Sequence, residues 1–258
     1  MLEFDAETTR ILDTAYQGAD ITLRRRMSFD ALDIRPGEHV LDLGCGPGLM
    51  TQELARAVGP EGKVTGIDPS PVMRDTAMER CANEPAVQIL DGTAQSLPLG
   101  DGSVDKAVSL QVFEYLDDLS GPIVEIHRVL RPGGRVVISD MHWDSWVWSS
   151  DDRDRMQRMM TAWDSHLADR LVPEKLPEEL AAAGFGHIRT IPVTFCDTVM
   201  KPDGLARMML ILMVGYVQQN NLLPEAEVMA WQSEQLARAA EGRFFMSLTQ
   251  YVTVADRV

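Results

Sequence analysis

Three cysteines in 258 residues, Cys45, Cys81 and Cys196, are too few for a disulfide scaffold and contain no CxxC pair. They show no His/Cys ligand spacing either, and no acidic cluster suggests an essential metal. Basic residues are also short: 24 Lys and Arg face 39 Asp and Glu, a formal charge of −15. That balance argues against a surface that tracks nucleic-acid phosphates, and equally against docking on an anionic membrane. The longest apolar stretch, "MMLILMVGYV" at residues 208–217, is about half a membrane span. The opening "MLEFDAETTR" lacks the basic-then-apolar pattern of a leader. No internal repeat or low-complexity linker is present. A cytoplasmic protein with no nucleic-acid and no membrane partner is the expectation.

What is present suits a globular chain: 45% of residues are apolar and 24% charged, enough to bury a real core. Residues 1–35 read as an N-terminal helical segment. Beyond "RPGEH", short apolar runs alternate with helical patterns. Strands are expected at 40–43, 64–68, 87–91, 104–112 and 135–140, and helices at 49–58, 71–82 and 121–130. Strands separated by helices of about ten residues imply a parallel sheet covered on both faces, a doubly wound α/β fold. After Asp140 the texture changes to a tryptophan-rich loop, then helices, the strand "HIRTIPVTF", about forty helical residues, and a closing strand "RFFMSLTQYVTVAD". The expectation is a single domain, 1–258, in which 141–170 plus 198–242 form a cap or lid.

The most informative stretch is "VLDLGCGPG", residues 40–48. An apolar strand interrupted by Asp42 runs into Gly44, Gly46 and Gly48, and a helix pattern starts at once. Glycines there admit positive φ and let a ligand touch the backbone. The following helix start favours an anionic or strongly polar group. The spacing is G-x-G-x-G, not the G-x-G-x-x-G of dinucleotide sites. "DLGCGPG" resembles the first motif of the class I S-adenosylmethionine-dependent methyltransferases. Four further stretches fall in that family's order: "VTGIDPS", "ILDGTAQSLPL", "DKAVSLQVFEYLDD" and "VLRPGGRVVISD". The resemblance is strong over roughly residues 37–140.

It implies a mostly parallel, seven-stranded Rossmann-like sheet with a C-terminal antiparallel strand and a helical cap, and S-adenosyl-L-methionine as cofactor. Carried over position by position, it implies cofactor contacts from Asp42, Gly44, Cys45, Gly46 and Gly48 in the first motif, with Cys45 a small filler there. Asp68 and Pro69 end the second strand, and Asp68 would accept the ribose hydroxyls. Asp91, Gly92, Thr93 and Ala94 would pack around adenine, and Gln111 follows the fourth strand. Asp42 would help hold the methionine amino group, and Arg25 or Arg26 could pair with the ligand's carboxylate.

Acceptors in doubly wound folds sit outside the carboxyl ends of the strands. Candidate substrate residues are therefore Tyr16, Tyr115, Trp143, Trp146 and His166, with His142 as the candidate base. Tryptophans there fit cap packing or an aromatic cage for a cationic amine. The Asn/Asp-Pro-Pro-aromatic site of nucleic-acid amino-methylation is absent, its place taken by "SLQVFEY". The expected function is methyl transfer to an O, N or S atom of a small molecule, with a homodimer left open. The alternative is a cofactor-binding sensor or interaction module without catalysis.

Overall fold

A computed structural model describes Tyr16 and residues 18–258 of the chain. The expected N-terminal helical segment therefore lies partly outside the described residues, and its described part is helix α1, Ala19–Leu32. Seven strands form one sheet in the order β3-β2-β1-β4-β5-β7-β6. They are β1 His39–Leu43, β2 Lys63–Ile67, β3 Val87–Leu90, β4 Val104–Leu110, β5 Leu130–Trp148, β6 Phe185–Asp197 and β7 Met246–Arg257. Pairing is parallel from β3 through β5, and the mixed sheet also contains an antiparallel strand pair. No helix among the described residues is long and apolar enough to cross a membrane.

The chain divides into two compact units. The first comprises Arg25–Met141, Leu171–Val193 and Gln250–Val258. Its helices α2 (Leu49–Val58), α3 (Pro71–Arg80), α4 (Ser120–Val129) and α6 (Val172–Ala182) follow from local chemistry. In α2, Met50, Leu54, Ala55 and Val58 recur at helical spacing and are buried. In α3, Pro71 sits in the first turn, where its missing N–H costs nothing, and the Ser70 hydroxyl accepts from Met73 N at 3.4 Å. Leu41, Leu43, Ile67, Ala107, Phe113, Ile123, Ile126 and Ile138 pack into one core.

The second unit comprises the described residues up to Arg24, with His142–Arg170 and Thr194–Thr249. It includes 198–242 and all but the first residue of 141–170. Its helices are α5 (Arg153–Asp164), α7 (Leu205–Gln219) and α8 (Glu225–Ala240). The tryptophan-rich segment, expected as a loop, is the continuation of strand β5. Its polar residues suggested a loop, yet Trp146 and Trp148 are buried around exposed Val147, the alternation of a half-buried strand. All five tryptophans lie in this unit and form a ladder. Trp143 and Trp146 centroids are 5.3 Å apart, Trp146 and Trp148 5.5 Å, Trp148 and Trp231 5.5 Å, and Trp143 and Trp163 6.2 Å. Arg158–Glu227 at 2.6 Å and the Arg155–Glu234 pair tie α5 to α8.

Candidate functional site

Within the first unit the order of strands reverses beside β1: β2 and β3 lie on one side, β4 and β5 on the other. A ligand crevice is expected outside the carboxyl ends at such a switch point. The glycine turn leaves β1 there. Gly44 N and Cys45 N both donate to Ile67 O, at 2.8 and 3.1 Å, which ties the turn to the end of β2. Gly44, at φ +69°, sits against the turn after β4: a Cβ built on it would lie 2.2 Å from Val112 Cγ2. Gly46, at φ +50°, differs. A Cβ there would meet nothing within 4 Å, so its open face is available to a ligand.

Two carboxylates organise this turn. Asp42 is fully buried in β1 and accepts from Thr51 Oγ1 of α2 at 2.6 Å. Burial pushes its pKa up to about 7, and the nearby Asp68 charge adds to the rise. Asp68, at the end of β2, uses both oxygens on the backbone. Oδ2 accepts from Gly46 N and Oδ1 from Ser70 N, each at 2.9 Å. The same carboxylate therefore clamps the glycine turn and the start of α3. Cys45 is buried, and burial pushes its thiol pKa up, so it fills space and is no nucleophile.

Arg74 of α3 was not singled out from the sequence, yet its Nη1 donates to Asp68 O at 2.8 Å and to Asp91 Oδ1 at 2.7 Å. It thereby connects the ends of β2 and β3. Arg80 Nε donates to Pro47 O at 2.7 Å and steadies the turn from the same helix. Only their placement on α3, six and twelve residues after Asp68, could have pointed to them. Pro69 and Thr93 are exposed, Gly92 packs near Ile67 and Pro98, and Ala94 is buried in the core. Arg25 Nε pairs with Glu53 at 3.0 Å, and Arg26 pairs with Asp30 at 2.9 Å on the surface.

At the end of β4, Gln111 takes φ +51°, a strained value for a residue with a side chain. Its N donates to Ser139 O at 2.8 Å, which places it beside Asp140 of β5. Asp140 is fully buried, and its Oδ1 accepts from Glu114 N at 3.2 Å. Burial first, and the neighbouring Glu114 second, push the Asp140 pKa well above the carboxylate range. Neither acid was singled out as a site residue from the sequence. Tyr115, on the same short turn, is about half exposed.

The remaining candidates lie in the second unit. Tyr16 and His142 are half-buried, and the His142 carbonyl accepts from Ser145 Oγ at 2.6 Å. Trp143 and Trp146 are buried in the ladder, at distances too short to admit a cation between the rings. The His166 ring lies tilted by 51° against Trp163, with centroids 4.0 Å apart, and 5.3 Å from the Tyr216 ring. Burial lowers its pKa, which keeps the imidazole neutral at neutral pH.

Residues 41–138 match the family model described as "Methyltransferase domain". Over these residues the chain carries a methyltransferase domain, in keeping with its resemblance to the class I S-adenosylmethionine-dependent enzymes. It is 36% identical over 239 residues to an uncharacterized 37.1 kDa protein in transposon TN4556 of Streptomyces fradiae, a match covering 90% of this chain and 66% of that one. It is 35% identical over 120 residues to demethylmenaquinone methyltransferase of Desulfitobacterium hafniense, covering 45% of this chain and 47% of that one. The chain thus spans only part of both relatives. A SAM-dependent methyltransferase from Aquifex aeolicus shares the fold with a TM-score of 0.57 and 17% identity, over 99% of this chain and 100% of that one.

Proposed function

We propose that this chain transfers the methyl group of S-adenosylmethionine to an O, N or S atom of a small-molecule acceptor. One observation carries the cofactor half of the reading. The Asp68 carboxylate holds Gly46 N at 2.9 Å, beside a glycine face on which a Cβ would meet nothing. A polar ligand can lie on that face within reach of the same carboxylate. The demethylmenaquinone methyltransferase relative supports a small acceptor, and the net charge of −15 disfavours nucleic acid.

When bound, S-adenosylmethionine supplies a methyl on a sulfonium, already activated for displacement. The residues of this chain then have three tasks. The glycine turn offers backbone N–H groups without side-chain obstruction. Asp68 accepts the ribose hydroxyls, and Asp42, behind the turn, gives up its proton near pH 7, a step that an ammonium nearby would favour. His142 takes the proton of an acceptor hydroxyl or protonated amine at a ring nitrogen. Asp140 is fully buried beside Glu114, and burial pushes its pKa up. Residues 141–170 and 198–242 supply acceptor recognition as a lid.

Calorimetry with S-adenosylhomocysteine, followed by transfer of a labelled methyl to pools of small molecules, tests the proposal. Binding together with a labelled product supports it. Binding without any product favours a cofactor-sensing module, and no binding refutes both.

A further inference from the structure

At the amino ends of the parallel strands, opposite the glycine turn, the first unit has a cavity of about 520 Å³. Lys106 of β4 lines it, half-buried between its strand partners Val40 of β1 and Arg135 of β5. Its Nζ makes no hydrogen bond or ion pair with a described residue and is open to solvent. Most of the carboxylates on the same wall are engaged. Asp105 pairs with Arg131, Asp256 pairs with Arg135 at 2.8 Å and faces His187 at 3.4 Å, and Glu38 Oε2 accepts from Arg35 N at 2.8 Å. Asp33 and Arg35 are exposed at the rim, and their side chains, like that of Lys106, have no partner among the described residues. Positive and negative groups are thus nearly balanced, and net charge selects no ion here. The unusual group is the amine.

The chain has four lysines, and Lys106 differs from the other three. Lys63 and Lys175 are exposed, and so is Lys201, whose ammonium pairs with Asp197 at 3.3 Å and with Asp20 at 3.4 Å. The Asp197 contact raises the Lys201 pKa. Burial lowers that of Lys106: Glu38, Asp33 and Asp256 favour its charged form and Arg135 opposes it, but desolvation is the larger effect. An amine attacks only as the free base, and desolvation enlarges that fraction. We propose that Lys106 is a modification site, acylated by a small acyl phosphate that enters this cavity. The Nζ lone pair forms a bond to the acyl carbon, and the bond from that carbon to the phosphate oxygen breaks. Phosphate leaves with the electron pair and takes up the proton released from nitrogen, so an amide and hydrogen phosphate result. Arg35, exposed and unpaired, receives the phosphate, since its guanidinium suits phosphate oxygens. This inference does not rest on the methyl-transfer reading.

The probe is acetyl phosphate, incubated with the full chain and read at each lysine by peptide mass spectrometry. Lys106 should be acetylated with saturable kinetics and at least about threefold faster than Lys63, Lys175 or Lys201, a larger free-amine fraction outweighing the weaker nucleophilicity of a less basic amine. Its rate should level off at a lower pH than that of Lys201. Arg35→Gln changes an exposed side chain and should slow acetylation of Lys106 by acetyl phosphate about threefold, as for an exposed charge contact. The same variant should react unchanged with the N-hydroxysuccinimide ester of acetic acid, which carries no phosphate. In urea the preference for Lys106 should vanish. Even labelling of the four lysines, a rate that stays linear in acetyl phosphate, or a common pH profile for Lys106 and Lys201 would each overturn the proposal. So would indifference of the acetyl phosphate reaction to Arg35→Gln, or a preference for Lys106 that survives unfolding, because the cavity would then have no part in it.

Discussion

Asp68→Asn separates the backbone clamp that the structure shows from the ribose contact proposed for the same carboxylate. Its two oxygens each accept a backbone N–H, from Gly46 and Ser70, at 2.9 Å. Hydrogen bonds to a charged group contribute about 1.5–3 kcal/mol each. Asp68→Ala removes both, a loss of about 3–6 kcal/mol against a total stability of roughly 5–15 kcal/mol, so that variant unfolds too readily to report on binding. Asparagine keeps one acceptor oxygen and turns an N–H₂ towards the other donor. The ligand-free protein should therefore lose about 1.5–3 kcal/mol. For a chain of this size the melting temperature should fall by roughly 3–12 °C. S-adenosylhomocysteine affinity should fall as well, by roughly 10- to 150-fold, because the ribose loses a charged acceptor. Differential scanning calorimetry without ligand and isothermal titration with it read the two losses independently. An unchanged melting temperature would refute the clamp between Asp68 and the glycine turn. Unchanged affinity in a folded variant would refute the ribose assignment, whatever the melting curve did.

Asp42 holds its proton up to about pH 7 when folded, against an ordinary value of 3.8. The folded state thus binds that proton more tightly than the unfolded state, and stability falls as pH rises from about 4 to about 7. The penalty approaches roughly 4 kcal/mol above that window, and Asp42→Asn should flatten this part of a urea-denaturation series against pH. A wild-type curve already flat there would contradict the burial argument. Gly44→Ala combines φ +69° with a 2.2 Å approach to Val112 Cγ2 and should cost about 2–4 kcal/mol. Adding Val112→Ala should recover the steric part, and a purely additive double mutant would show that the contact is not the cause. His142→Ala should lower turnover by roughly 10²–10⁴ with S-adenosylhomocysteine affinity kept, for an acceptor that carries a proton. Full activity on such an acceptor would exclude His142 as the base. If 141–170 and 198–242 act as a lid, hydrogen exchange there should slow when cofactor and acceptor bind, and protection confined to residues 40–95 would count against it.

The glycine turn and Asp68 were legible in the sequence because their chemistry is local. A strand, three glycines and an acid twenty positions on are all set by spacing along the chain, and the boundaries of α2 and β1 follow from the same apolar periodicity. The tryptophan-rich stretch was misread for a related reason. Asp144, Ser145 and Ser149 have the composition of a loop, whereas burial of Trp146 and Trp148 against the rest of their unit makes the segment a strand. Composition reports the exposed half of such a strand as readily as the buried half. Arg74 and Arg80 look like ordinary surface charges on α3 until folding brings them to Asp68 O and Pro47 O.

The Glu114 and Asp140 pair lay furthest from view. They are 26 residues apart and have no spacing signature, and acids are rarely fully buried. Burial and the neighbouring Glu114 nevertheless push the Asp140 pKa up, because a protonated acid costs far less to bury than a carboxylate. Its Oδ1 on Glu114 N fixes the turn after β4. Val112, on that same turn, occupies the space that a Cβ on Gly44 would need. A buried acid on β5 therefore sets how closely the β4 turn packs on the glycine turn of β1. The residues that shape the proposed cofactor face thus extend beyond the glycine turn itself, and they are linked by tertiary packing that no stretch of sequence spells out.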